Sequence, residues 1–295
     1  MIRYQRELVA SRLLIPAFLV ILLHVPVTQA TISAASLNLC ADSILLEVAA
    51  PEQIVSVSWL ATDPELSNYA KQAGNYPNNH GRIEDLIALN PDFVFTGANT
   101  SAVDNALLAR LGYSVVRLKP DRKLSDYESN LRLVAERLGR EEQAETLIST
   151  LKDTLSEFYP ARSDKRRPEA MIFQANGYIP GTDSLPAQLL ASAGLGYPKK
   201  AAQNWPQGRF LSLEELIVER PSIIVMSSAN PANPSLAELY LNHPALTRLS
   251  QRKVTAWQPK IVHLKERHFN CGSQYLAESL KAMAQARADY LAERQ

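Results

Sequence analysis

Hydrophobic positions change their spacing along this chain, and the changes mark out its elements. Tyr127, Leu131, Val134 and Leu138 recur at helical intervals, Gly139 interrupts, and Ala144, Leu147, Leu151, Leu155 and Phe158 resume until Pro160. Ser125 followed by Glu128 predicts a capping box at the start of the first run, with each side chain taking a backbone N–H of the other. The second run, helical from about Glu141 to Phe158, spans roughly 27 Å at about 1.5 Å per residue. That length suits a rod joining two domains. A pair of ordinary surface helices within one large domain is the competing reading, and the flanking sequence argues against it.

The flanks look alike. Arg82-Ile83-Glu84-Asp85-Leu86-Ile87-Ala88-Leu89-Asn90-Pro91-Asp92-Phe93-Val94-Phe95 reads as a short amphipathic helix, a proline turn and a buried strand. Ser212-Leu213-Glu214-Glu215-Leu216-Ile217-Val218-Glu219-Arg220-Pro221-Ser222-Ile223-Ile224-Val225 repeats it position for position. Asp42-Ser43-Ile44 leading into Leu45-Leu46 is matched loosely by Asp183-Ser184-Leu185 leading into Leu189-Leu190. The pattern predicts an α/β protein of two similar Rossmann-like lobes, residues 31–124 and 161–295, joined by a helical segment at 125–160, with a ligand cleft between the lobes.

In lobe one the pattern gives strands near Ile32–Leu37, Ile54–Ser58, Phe93–Thr96 and Ser114–Leu118. Helices are predicted from a cap at Asp42 to Ala49, over Pro64–Ala73 and over Ala102–Leu111. In lobe two the strands are predicted at Glu169–Gln174, Ile223–Ser227 and Lys253–Ala256, with a last helix over Gln274–Leu291. Loops at the carboxyl ends of such strands are where open α/β sheets meet ligands.

Composition narrows the class. With 295 residues, 46% hydrophobic and 21% charged, the chain can fill two packed cores and is not of the disordered kind. Arg3, Arg6 and Arg12, an apolar run from Leu13 to Leu23 and the small-residue ending Thr28-Gln29-Ala30 read as a cleaved export signal over residues 1–30. An uncleaved membrane anchor is the alternative, but the apolar run is short and Pro16 and Pro26 break it. Removing the signal takes three Arg and one Glu and leaves 28 basic against 29 acidic residues. That balance gives no reason to expect nucleic-acid binding. Cys40 does not read as a lipid-attachment site, because Leu39 before it is too bulky. Cys40 and Cys271 fall at strand-to-helix junctions in different lobes, and two readings stand: a bond that tethers the lobes, or two separate thiols that are buried or face the ligand.

No G-x-S-x-G, H-E-x-x-H, Walker or G-x-G-x-x-G motif occurs. His80, His263 and His268 sit on predicted loops near the crevice, which leaves open a bare metal-ion binder or, further off, a metal-dependent hydrolase. Their spacing matches no standard ligand motif. Glu84 and Glu214 occupy the same place in the two copies. Glu215 has a structural task in a capping box with Ser212, which leaves Glu214 free to face outward.

The order of export signal, lobe, long helix and lobe, with matched acidic anchors, resembles the class III substrate-binding proteins of ABC importers. These take up ferric siderophores, haem and cobalamin. The resemblance spans nearly all of the mature chain but rests on short motifs. It implies a protein that catalyses nothing and needs no cofactor, though its ligand can contain iron or cobalt. It also implies a periplasmic monomer that binds a metal chelate and delivers it to an inner-membrane permease dimer. In the family one Glu of each lobe docks on arginines of the transmembrane subunits, and Glu84 and Glu214 match those positions. Trp205-Pro206-Gln207 is similar to a ligand-touching segment of the cobalamin-binding member; the cysteine pair departs from that member, whose pair lies within one lobe. On this reading Trp59, Trp205 and Trp257 offer flat faces to a macrocycle. Asn38, Asn99, Asn176, Tyr178 and Asn230 offer hydrogen bonds, with His80 and His263 as further polar lining. Arg209, Lys260 and Arg267 stand ready for carboxylates or catecholates.

Overall fold

The computed structural model describes residues 31–160, 164–198, 205–228, 235–246 and 257–294. Lobe one is built on a five-stranded parallel sheet of order β3-β2-β1-β4-β5, comprising β1 (Ala34–Ser36), β2 (Ile54–Ser58), β3 (Asn78–Asn79), β4 (Phe93–Thr96) and β5 (Ser114–Arg117). The chain steps outward from β1 through β2 to β3, then crosses to β4 on the other side of β1. The β1/β4 boundary is therefore the topological switch point, where side chains from two loops can face one ligand. Among the described residues lobe two has a parallel sheet of order β10-β9-β6, from β6 (Ala170–Phe173), β9 (Ile223–Ser228) and β10 (Lys260–Lys265), and an antiparallel pair, β7 (Tyr178–Ile179) with β8 (Arg209–Phe210). β6 is buried at all four positions, as expected of an apolar strand covered on both faces.

The duplication holds in three dimensions. Helix α3 (Glu84–Ile87) precedes β4, and helix α8 (Leu213–Glu219) precedes β9. Residues 83–91 and 213–221 carry the same sequence of buried, half-buried and exposed positions. Leu86 and Leu216 are both fully buried. Asn90 (φ 41°) and Arg220 (φ 48°) each end the turn in the left-handed region, where a non-glycine residue is uncommon.

Helices α5 (Leu124–Leu138) and α6 (Glu141–Ser156) turn back on each other at Gly139, whose φ of 66° makes it the left-handed C-cap. Arg132 meets Glu145 at 2.6 Å and Lys152 meets Glu128 at 2.9 Å, so the helices run antiparallel. Their buried stripes, Leu131 and Val134 on one and Ile148 and Leu151 on the other, belong to a core cluster that reaches into both lobes. It includes Ile44 and Leu45 of helix α1 (Leu39–Val48), Leu189 of α7 (Leu185–Ser192) and Leu280 and Met283 of α9 (Leu276–Ala292). The joining segment is thus a packed hairpin rather than a lone rod.

Four local readings change. Helix α1 is capped by Asn38, whose Oδ1 accepts from the Ala41 amide at 3.1 Å, and not by Asp42. Asp42 is instead buried, accepting from Ser36 Oγ, Ser58 Oγ and the Ser58 amide, and so ties α1 to β1 and β2. Helix α5 begins two residues early, with its cap at Lys123 and not Ser125: the Lys123 amide donates to Asp126 at 2.9 Å, and Glu128 faces Lys152. The helix predicted over Pro64–Ala73 shrinks to α2 (Ala70–Ala73), because Asp63 and Ser67 capture the Glu65 and Tyr69 amides in turns. The strand predicted at Lys253–Ala256 lies outside the described residues, while Lys260–Lys265, read as loop, pairs with β9. Charged ends and an exposed His263 hide its apolar alternation. Helix α4 (Ala102–Arg110) is capped by Ser101, close to its predicted limits.

Candidate functional site

The switch point of lobe one opens on a cavity of about 230 Å³ lined by the ends of three strands and the start of α1. Asn38 follows β1, Gly97, Ala98 and Asn99 follow β4, and Leu118, Lys119, Pro120 and Asp121 follow β5. Cys40, Asn130 of α5 and Asn270 of lobe two complete the wall. Gly97 leaves room for Asn38: a Cβ there would stand 2.8 Å from the Asn38 side-chain nitrogen Nδ2 and would displace that side chain. Asn130 is fully engaged, accepting from the Lys119 amide at 3.1 Å and donating to Lys119 O and Asp121 Oδ1. Burial raises the Asp121 carboxyl, and the Gly272 amide and Asn130 partly offset that rise.

The segment after β10 closes on lobe one beside this cavity. Cys40 and Cys271 are joined sulfur to sulfur across the lobes, with a Cα–Cα distance of 5.2 Å. The Gly272 amide donates to Asp121 Oδ2 at 2.9 Å. A Cβ on Gly272 would lie 2.4 Å from the Tyr127 ring, so only glycine allows this approach. Glu47, half-buried as a residue, receives the Gln274 amide at 3.0 Å, the Tyr127 hydroxyl at 2.5 Å and the Tyr69 hydroxyl. Desolvation raises its carboxyl to about 7 despite these donors. Arg267 donates to Pro64 O and accepts from Asn68 Nδ2 at 2.6 Å through its own carbonyl. At the head of the hairpin the Leu124 amide donates to Gln188 at 2.8 Å, and Lys123 meets Asp183 at 3.3 Å.

The predicted ligand residues fall into groups. Asn38 and Asn99 line the cavity. Asn176, Tyr178, Trp205 and Arg209 gather on the β7–β8 pair in lobe two: the Tyr178 ring lies 5.4 Å from Phe210, and the Arg209 guanidinium sits 4.8 Å over Trp205. Arg209 is committed to Glu215 and not held free for an anion. Trp59 starts the turn after β2 and is 47% exposed. His80 follows β3 and is held by Asp85 at 3.4 Å. Arg267 serves the joint between the lobes. Trp257 and Lys260 are placed at the amino end of the lobe-two sheet: the Trp257 indole donates to Pro221 O, and Lys260 pairs with Asp289 and Glu293. Neither joins the loops at the carboxyl ends. His263 is an exposed position within β10. His268 stacks on Tyr275 with ring centres 5.9 Å apart. Among the described residues no three His, Cys, Asp or Glu side chains gather where they could hold a metal ion, so His80, His263 and His268 form no triad. Asn230 lies outside the described residues.

Sequence reasoning missed Lys119, Asp121, Asn130 and Asn270. Two signals were available: Lys119-Pro120-Asp121 follows a strand at the switch-point side, and Asn270 precedes the second cysteine.

A family profile described as periplasmic binding protein matches residues 35–258, most of the chain. The chain belongs to the periplasmic binding protein family. No curated protein matches it in sequence. Among solved structures it is similar to the periplasmic heme-binding protein RhuT from Roseiflexus sp. RS-1 (18% identity, TM-score 0.68, covering 88% of this chain and 99% of that one). The periplasmic heme-binding protein HutB of Vibrio cholerae compares at 18% identity and TM-score 0.66, over 90% and 100% of the two chains. The periplasmic vitamin B12 binding protein BtuF of Vibrio cholerae compares at 15% and 0.64, over 88% and 98%. At these identities the likeness establishes the fold. Among the described residues no helix is long and apolar enough to cross a membrane.

Proposed function

We propose that the chain is an exported binding protein that captures a metal chelate at the carboxyl edges of its two lobes and delivers it to an inner-membrane ABC importer, without catalysis. The observation that carries this reading is the cavity itself. It sits at a topological switch point, and Asn270 of the opposite lobe closes its wall. At about 230 Å³ it is smaller than the roughly 300–1,000 Å³ of sites that enclose a whole drug-sized ligand. It therefore suits one polar arm of a larger molecule, with the flat body lying outside against exposed aromatic faces such as Trp59. Relatives of this fold described as heme-binding and vitamin B12 binding support a chelate of that size.

The test is titration of the purified mature protein with haemin, cyanocobalamin and several ferric siderophores, followed by intrinsic tryptophan fluorescence. Saturable quenching by one of them, weakened by Asn99→Asp or Trp59→Ala, supports the reading. Saturation by none of the three classes contradicts it, and so does tight binding of a bare divalent ion.

A further inference from the structure

The helices that carry Glu84 and Glu214 repeat more than an acid. Glu84, Ile87 and Ala88 stand at i, i+3 and i+4, so they share one helix face, and all three are exposed. Glu214, Ile217 and Val218 do the same in the second copy. Ile87 is 59% exposed, Ile217 40% and Val218 69%, although the opposite faces of both helices, Ile83 with Leu86 and Leu213 with Leu216, are buried. The next acid is engaged in each copy: Asp85 holds Arg82 and the His80 amide, and Glu215 holds Arg209 and the Ser212 amide. Glu84 and Glu214 enter no ion pair among the described residues. One exposed isoleucine on a protein surface needs no explanation. Two at matched places, each beside a matched exposed carboxylate that enters no ion pair, call for a common cause, because the two segments differ elsewhere (Arg82 against Ser212, Ala88 against Val218). Glu214 also takes hydrogen bonds from the Ser212 side chain and its own amide.

We propose that Ile87 and Ile217 are the apolar half of a duplicated docking element. Its occupant is a membrane-embedded permease of two identical subunits, each presenting one basic side chain beside one apolar recess. The inference rests on the transport reading above. It is drawn from the self-similarity of the two surfaces, since a pattern displayed twice is met by one patch used twice. The carboxylates orient the encounter and the isoleucines hold the complex, as charged and desolvated apolar groups generally divide the work.

The test uses the full mature protein and inner-membrane vesicles of the bacterium that makes it, at about 0.05 M and about 0.5 M salt. Ile87→Ser with Ile217→Ser should weaken saturable vesicle binding about tenfold at both salts. Glu84→Ala with Glu214→Ala should weaken it at low salt and much less at high salt. Chelate affinity and melting temperature should stay unchanged in both. A photo-crosslinker placed at 87 or at 217 should capture the same peptide of the same membrane protein. If the Glu pair matters and the Ile pair does not, docking stands and this inference falls; crosslinks from 87 and 217 to unrelated polypeptides also overturn it. If no variant alters binding, the docking reading fails and takes the inference with it.

Discussion

Glu47 receives hydrogen bonds from two tyrosines and from a backbone amide of the other lobe, yet the removal of water around it outweighs all three and lifts its carboxyl to about 7. The negative charge of Asp121 nearby adds to the rise, and both Tyr69 and Tyr127 are pushed well above the ordinary phenol range by burial and by Glu47 itself. Because the folded protein holds this proton more tightly than the unfolded chain, the stabilisation Glu47 contributes is fully present below its ordinary value of about 4.5. It falls as pH rises from there toward 7, by an amount on the order of a few kcal/mol. Asp42, raised to about 6 by burial, acts in the same direction. Glu47→Gln should therefore flatten the loss of melting temperature between pH 5 and pH 8 without abolishing it, since Asp42 remains. Thermal melts across that range check this, and an unchanged slope in the variant would remove Glu47 from the account. None of this is visible in sequence, where Glu47 is one acid at the end of a predicted helix.

At the scale of elements, a single covalent link connects the start of α1 with the segment that follows β10. The two cysteines are 231 residues apart, and in the chain-entropy account a loop of that length contributes roughly 5 kcal/mol by restricting the unfolded chain. Purified protein should thus show no titratable thiol without reductant, and Cys40→Ser with Cys271→Ser should lower the denaturation midpoint substantially; free thiols in the native protein would refute the link. The sequence permitted this bond and could not require it, because nothing in the spacing shows that residues 266–275 fold back on lobe one. Elements governed by periodicity were legible: α5, α6, β2, β4 and the repeated α3–β4 and α8–β9 units all lie close to their predicted places. Elements governed by partners were not. Asn38 takes the cap from Asp42 because Asp42 is drawn inward by Ser36 and Ser58. Trp257 and Lys260 leave the candidate site because β10 begins at Lys260, opposite Ile223, and puts both at the wrong end of the sheet. Asn38 and Asn99 reach the cavity because they follow strands whose order in the sheet makes them neighbours.

For the molecule as a whole, the question is how far the lobes can part. A hinge that closes widely needs a narrow connection with little packed on it, and this chain has the opposite. Core side chains run without interruption from α1 through the α5–α6 hairpin to α7 and α9. Glu47 to Gln274, Asp121 to Gly272, Pro64 to Arg267 and the cysteine pair cross on one side, and Leu124 to Gln188 crosses at the head of the hairpin. Separating the lobes would break these together and expose apolar core, whereas a ligand can shift the equilibrium only by its differential affinity for the open and closed forms. The small cavity fits this picture, since on the proposed reading only an arm of the ligand has to enter. Spin labels at Val103 and Leu236, both strongly exposed and in different lobes, should give one narrow distance distribution that moves little when a chelate found by the titration is added. The same labels in the Cys40→Ser, Cys271→Ser background should broaden. A large ligand-driven shift with the cysteines intact would mean that the joint opens as a true hinge, and that the hydrogen bonds across it are broken and remade as ligand binds and leaves.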